Sequence, residues 1–350
     1  MLFLGSFWVL FWNEGRVNLS HVAARATAIP ATGAPTVAVG SLVSVSGPIT
    51  STELVGDNAF LRPGAYIAVN RQVEMYAWEE QKKTRTREEF GGSETRETTY
   101  SYRKVWTDQP QDSSRFYARQ QHYNPPMPLR SQLFRVNQAQ VGNYVLNLAN
   151  LNLETPTLIP LSSATIANGL ITDSYIFQGR GSLQAPEIGD IRVQYAALNN
   201  GTEVTVFGRL ASANSLDSFL GPRNVKLYRL FAADRETAIQ RMSVEHDVLT
   251  WVLRLIGFLM MWIGSSMVFE PLNTMFSIFP FLSGLSRFLT KGITLIVSLV
   301  LSSITIVVGM VARNPVVLGI CLAVAGFFIL RLLGKRRASP GSVGYVSYDG

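Results

Sequence analysis

The sequence predicts an α+β membrane protein: a four-span transmembrane helical bundle with a large β-rich extramembrane domain between spans 1 and 2, the first span clipped. Three observations predict it. Long apolar stretches crowd the C-terminal part of the chain, from about Val248 to Gly334. The region from Val17 to about Asp247 alternates apolar and polar residues at period 2 instead. Basic residues outside that region stand in or beside the apolar stretches. The clearest stretch, Ile293–Ala312, has twenty residues and no charge. As a helix it rises about 30 Å, the thickness of a bilayer's hydrocarbon core. Without water to satisfy the backbone there, a helix is the form such a segment takes.

Charge places the chain among membrane proteins rather than nucleic-acid binders. The net charge is +7, yet residues 13–247 hold 23 Lys+Arg against 22 Asp+Glu, a balance of +1. The other +6 comes from 8 Lys+Arg against Glu270 and Asp349. Basic residues in those places orient a protein in a membrane. One cysteine, Cys321, excludes an intrachain disulfide and a cysteine metal site.

Met1–Trp12 is wholly apolar but gives only about 18 Å of helix. It reads as a clipped first span or as a segment that dips into the bilayer, with Trp8 and Trp12 suited to the interface. Asn13-Glu14-Gly15-Arg16 marks a return to water. The β-rich domain (13–233) follows, with strands expected at Ser41–Gly47, Val73–Glu79, Thr99–Trp106, Tyr175–Gln178, Ile188–Tyr195, Glu203–Leu210 and Lys226–Phe231. Gly91-Gly92-Ser93 joins two of these as a long hairpin with a charged end. Mixed signs there read as a solvated edge that resists aggregation, rather than as a basic patch. A Pro-rich stretch, Asn124–Pro128, interrupts the region as a loop or subdomain boundary.

Asp234 is placed to cap a pre-membrane helix (234–247) that runs into the second span (248–269). Arg254 within that span is either a functional intramembrane charge or a snorkelling side chain. Residues 270–291, rich in Phe and broken by Pro280, read as an interfacial cytoplasmic segment. The third span is 293–312. Arg313-Asn314-Pro315 then turns into the fourth, 316–334, before a basic tail, 335–350.

In the third span Thr294, Ser298, Ser302, Thr305 and Gly309 fall on one face, and in the fourth Gly319, Ala323 and Gly326 do the same. Such faces let helices approach closely in lipid; a polar pore lining is the alternative use. Arg287, Lys291, Arg331, Lys335, Arg336 and Arg337 belong on the cytoplasmic side, which puts the β-rich domain on the other.

No catalytic motif stands out. His21, His122 and His246 have no metal-ligand spacing, and adjacent pairs such as Glu79-Glu80 point to opposite faces of a strand. A membrane hydrolase lacks a visible nucleophile–base pair. No cofactor, metal or nucleic acid is implied. Asn18-Leu19-Ser20 and Asn200-Gly201-Thr202 match the glycosylation sequon, with Asn200 the candidate in a eukaryotic lumen.

Gly5–Arg16, Val73–Trp78, the set Tyr100, Ser101, Tyr102 and Trp106, the pair Asn124-Pro125, Pro186–Val193 and Gly257–Gly264 occur in an order that resembles the LUMA, or transmembrane protein 43, family. The resemblance implies a four-span protein with a large luminal domain and no assigned catalytic residues. It places the protein in the endoplasmic reticulum and inner nuclear membrane of an animal cell, or in the inner (cytoplasmic) membrane of a bacterium. It also implies a homo-oligomer that organises nuclear-envelope proteins such as emerin and lamins. A weaker similarity joins the extramembrane domain to the membrane-adjacent domain of mitochondrial ubiquitin ligases, without their RING. The reading is therefore a non-enzymatic scaffold whose partners are the lipid bilayer, other membrane proteins and further copies of itself. Tyr76, Trp78, Tyr100, Tyr102 and Trp106 are its candidate interaction residues, or else the hairpin's share of the domain core. A channel subunit or regulator of ion transport, with spans 3 and 4 lining the path, is the alternative.

Overall fold

The computed structural model describes residues 1–57, 59–88, 94–276, 280–313 and 318 of the 350. Its helices are α1 (Leu2–Glu14), α2 (Leu19–Ala24), α3 (Arg235–Phe276) and α4 (Pro280–Arg313). The chain forms two compact units: Val17–His246, and Met1–Arg16 with the described residues from Asp247 onward.

The first unit is built on two sheets. In one, Leu42–Thr50 pairs antiparallel with Glu203–Ser212, Val45 opposite Val206. Three short strands, Ala139–Val141, Tyr144–Leu146 and Ser215–Asp217, close the ladder back on Glu203–Ser212. Closing a ring of strands removes exposed edges. Its inside is filled by Val43, Val45, Ile49, Val141, Tyr144, Leu146, Val206 and Leu210, all buried. These apolar residues recur mostly at every second position, as a one-sided strand requires.

The second sheet is organised around Tyr66–Glu88, flanked by Ile191–Asn199 and Glu94–Thr107. Val69, Val73, Met75 and Ala77 pack with Ile191, Val193, Tyr195 and Ala197 in one core. Ile191 lies opposite Met75, where Ile191–Asn199 ends its pairing. Tyr76 is still bonded on that edge to the Gly189 N–H and the Asp190 carbonyl; beyond it the strand partner of Tyr66–Glu88 is Glu94–Thr107, from Trp78 opposite Lys104 to Glu88 opposite Glu94. The result is a two-stranded arm roughly 40 Å long. The expected turn at Gly91-Gly92-Ser93 lies outside the described residues. Asp234 caps α3: its Oδ1 accepts from the backbone N–H of Glu236 and Thr237 at 3.0 and 2.9 Å. Ala238 and Met242 on the first turns of α3 pack with Phe207, Leu227 and Phe231.

In the second unit α1 lies against α3 and α4. Asn13 Nδ2 donates to the Thr250 carbonyl, Leu10 abuts Gly257, and Phe3 abuts Gly264, so α1 and α3 run antiparallel. A Cβ at Gly264 would sit 2.5 Å from the Phe3 backbone nitrogen, and one at Gly309 would sit 3.0 Å from Glu14 Cβ. Small residues admit such an approach in lipid, where apolar area alone gives little drive for association.

The structure does not bear out the four-span bundle expected from the sequence. Among the described residues two helical stretches are long and apolar enough to cross a membrane, Arg235–Val268 and Gly292–Ala312. α1 has thirteen residues, about 20 Å, short of the roughly 30 Å that a span needs. The expected fourth span, 316–334, falls outside the described residues apart from the isolated Leu318, and the tail 335–350 falls wholly outside them. The large β-rich domain between α1 and α3 fits the fold expected. α3 runs unbroken through the pre-membrane segment and the second span to Phe276. Pro280 opens α4, a first-turn position where its missing N–H costs nothing.

Candidate functional site

The five aromatic residues singled out in the sequence share one face of the arm. Tyr76 lies opposite Trp106, Trp78 opposite Lys104, Glu80 opposite Tyr102 and Lys82 opposite Tyr100. All of these positions are even-numbered, and period 2 puts them on one side. The other side is polar: Glu79 faces Arg103, with Arg103 Nε 2.8 Å from the carboxylate. Each of the five is half-buried.

What half-buries three of them is a strap, residues 110–124, laid along that face. Phe116 is its buried anchor and packs against Tyr102. His122 stacks on Tyr102 at 3.7 Å and meets Trp78 edge-on at 4.6 Å. Its Nδ1 lies 3.1 Å from the Ala118 carbonyl, and since a carbonyl only accepts, Nδ1 carries the proton. Tyr117 stacks on Tyr100 at 4.5 Å and nearly parallel, and it remains exposed. At the base of the arm the Arg192 guanidinium sits 4.7 Å over the Trp106 ring and also binds Glu74.

Glu80 joins arm to strap: its Oε2 accepts the Tyr102 hydroxyl at 2.5 Å and the Tyr117 backbone N–H at 2.6 Å. Burial and the neighbouring Glu80 carboxylate raise the pKa of the Tyr102 phenol, which keeps its proton to donate. Asn124 does the work of a missing strand. Its Oδ1 accepts from the Trp78 N–H at 2.7 Å, and its Nδ2 donates to the Trp78 and Gln111 carbonyls at 2.8 and 3.0 Å. Gln111 Oε1 does the same for the Glu80 N–H at 2.9 Å. Together these cover the open edge of Tyr66–Glu88 just past the sheet.

A buried network lies at the foot of this assembly. Asp57 Oδ2 binds Arg71 Nη1 at 2.8 Å and accepts the Tyr195 hydroxyl at 2.5 Å, while its Oδ1 takes the N–H groups of Ala59, Phe60 and Leu61. Burial alone would raise the Asp57 pKa; the bonds from Tyr195 and Arg71 outweigh it and hold the carboxyl below its ordinary value. Burial and then Asp57 push the Tyr195 phenol well above its usual range. Arg71 also reaches the Arg130 carbonyl with Nε and Nη2, at 3.2 and 3.0 Å.

In the helical unit the predicted stripe of α4 is the face turned inward. Thr294, Ser298, Ser302, Thr305 and Gly309 are all buried. Ser298 Oγ lies 2.8 Å from Ser265 Oγ, and Thr294 Oγ1 lies 3.2 Å from Ser266 Oγ, so two hydroxyls bridge to α3. Ser302 and Thr305 return their hydroxyls to the Leu299 and Leu301 carbonyls of their own helix. Gly319, Ala323 and Gly326 lie outside the described residues. Arg254 pairs with Glu14. Sequence reasoning missed that pair, the strap's Tyr117 and His122, and the Asp57–Arg71–Tyr195 network. The first and last join residues far apart along the chain, and no spacing rule reveals them.

Two membrane-length helices and a folded β-rich domain define the class: an integral membrane protein with a large extramembrane body. The profile of one family, Transmembrane protein 43, matches residues 75–315, from the arm to the end of α4, and the chain belongs to that family. It is 26% identical to the Transmembrane protein 43 homolog of Drosophila melanogaster, over 93% of this chain and 90% of that protein. With Transmembrane protein 43 of Homo sapiens it shares 26% identity over 97% of this chain and 89% of the other. With that of Rattus norvegicus it shares 27%, over 94% and 87%. No solved structure matches the chain.

Proposed function

We propose that this protein is a non-enzymatic, self-associating membrane scaffold whose β-rich domain gathers other membrane proteins. In a eukaryotic cell its place is the endoplasmic reticulum and inner nuclear membrane, where emerin- and lamin-type proteins are the partners. In a bacterium it is the inner membrane. The observation that carries this reading is the strapped arm. A two-stranded ribbon is marginally stable in water by itself. This one is braced by aromatic stacking and by the Asn124 and Gln111 side chains, and it presents the exposed Tyr117 on Tyr100 at its rim. Rigid amphipathic aromatics of that kind suit protein contacts. Two adjacent acids of the arm are engaged rather than poised for chemistry: Glu79 by Arg103, Glu80 by Tyr102 and the Tyr117 amide. Membrane side follows from α3, which carries the chain from the domain toward Arg287 and Lys291. Those basic residues favour the cytoplasmic face, and the domain therefore takes the other. The buried α4 stripe supports helix packing as its use.

The test is a photo-crosslinking amino acid in place of Tyr100 in the full-length protein, in its own membrane. Adducts with other membrane proteins, including a second copy, are expected. Adducts with lipid alone overturn the scaffold reading.

A further inference from the structure

A cleft of about 630 Å³ opens beside the strap, on the surface of the β-rich domain. Arg119 and Arg130 both line it, and both are exposed. Among the described residues neither guanidinium has an ion-pair or hydrogen-bond partner, unlike Arg71, Arg103 and Arg192 nearby. The acid on the cleft, Asp112, is already answered by Arg115 at 3.4 Å and by the Ser114 N–H at 3.0 Å. The same cleft carries apolar surface, Tyr123, 64% exposed, with Pro126 and Met127, beside the polar Gln111, Ser114 and Gln120.

The walls are also preorganised. Buried Asn124 fixes the strap to Trp78, and Met127 packs on the core of the second sheet. Arg71 grips the Arg130 carbonyl from within, itself held by Asp57 and Tyr195. A groove whose backbone is fixed before binding loses little entropy when it is filled. Two uncompensated, fork-shaped cations on a cleft that also offers Tyr123 and Met127 match a chain that carries carboxylates and a nonpolar side chain.

We infer that this cleft is a docking site for an extended acidic peptide segment of a partner protein, with Arg119 and Arg130 pairing its carboxylates and Tyr123 and Met127 receiving its apolar residue. The inference rests on the scaffold reading and names the chemistry of one partner.

The experiment uses full-length protein in nanodiscs of neutral lipid. The probe is a fluorescein-labelled glutamate-rich peptide with a central leucine pair, followed by anisotropy. Saturable binding is expected, weakening at an ionic strength of about 1 M, where screening shortens to roughly 3 Å. Changing Arg119→Glu and Arg130→Glu together should weaken it at least about tenfold, the equivalent of roughly 1.4 kcal/mol. Arg209→Glu, on the other sheet, should leave it as it was. Thermal unfolding checks that the double variant folds; should it not, Arg119→Gln and Arg130→Gln singly take its place. Equal binding of a lysine-rich counterpart overturns the inference. So does wild-type affinity in the folded charge variants, or full displacement by millimolar inorganic phosphate, which marks a small-anion site. The scaffold reading fails separately: crosslinked partners recovered from Tyr100 in the double variant leave it standing while the cleft is discarded.

Discussion

Glu14 and Arg254, 240 residues apart in sequence, close a two-point ion pair: Nε to Oε1 at 2.8 Å and Nη2 to Oε2 at 2.9 Å. Both side chains are largely buried, and the guanidinium also lies 4.9 Å over the Trp251 ring. The matched fork explains how a charge is tolerated one or two turns inside an apolar helix. It also fastens the C-terminal end of α1 to α3.

Removing one partner should therefore cost more than the pair is worth, because the other charge stays buried. Glu14→Gln is expected to lower stability by about 3–5 kcal/mol, and Arg254→Gln by a similar amount. The charge exchange Glu14→Arg with Arg254→Glu should restore part of the loss. Thermal unfolding in nanodiscs measures it, and a swap no better than the worse single change would mean the two do not act as a pair.

Asp57 makes the β-rich domain sensitive to acid. Its folded pKa is held below the unfolded value of about 3.9, so its stabilisation is complete above that pH and fades as pH falls through the folded value. The urea midpoint of the domain, read by pulse proteolysis, should drop as pH is lowered below about 4. Asp57→Asn should lose about 3–5 kcal/mol at neutral pH, since Arg71 keeps its burial without its counter-charge. The same substitution should flatten the acid dependence. A midpoint that falls as steeply in the variant would assign the acid sensitivity to other carboxylates.

Asn124 should matter more than its loop position indicates. Asn124→Ala leaves the Trp78 N–H and C=O without the partners they now have, at about 1–3 kcal/mol for each buried group orphaned. Asn124→Asp keeps the acceptor but turns a carboxylate oxygen onto the Trp78 and Gln111 carbonyls, so it should be no milder than alanine at neutral pH. Hydrogen exchange at the amides of Trp78 and Glu80 should quicken by about tenfold or more in the alanine variant, at 1.4 kcal/mol per decade. Exchange in the ring sheet around Val45 and Val206 should not change.

The arm was legible because its chemistry is local. Tyr76, Trp78, Tyr100, Tyr102 and Trp106 alternate with polar residues, and alternation alone fixes which side they share. Asp234 was legible as a cap for the same reason. What covers the arm was not: Asn124–Pro128 reads as a loop, and only the fold shows Asn124 acting as a strand. Glu14 looked like the chain's return to water because its partner lies 240 residues on. Of the four spans expected, two stand among the described residues as membrane-length helices, and 316–334 lies outside those residues apart from Leu318. Pro280 was read as a break, yet at the first position of α4 it is compatible with a helix.

The contacts of α1 and α4 with α3 give a final test in which size and polarity can be separated. Ser298→Ala deletes the 2.8 Å hydroxyl contact with Ser265 and introduces no bulk. Interhelical hydrogen bonds of this kind in membranes are worth about 0.6 kcal/mol, so the change should be nearly silent. Gly264→Ala adds a single methyl, but it would stand 2.5 Å from the Phe3 backbone nitrogen, an atom that has no rotamer to retreat into. α1 must then shift bodily, pulling at Leu10 on Gly257 and at the Glu14–Arg254 pair. The glycine substitution should therefore destabilise by about 1–3 kcal/mol, the usual cost of overpacking, and should slow disulfide formation between cysteines placed at Leu10 and Gly257. If instead the serine change is the costly one, polarity rather than close approach holds these helices together.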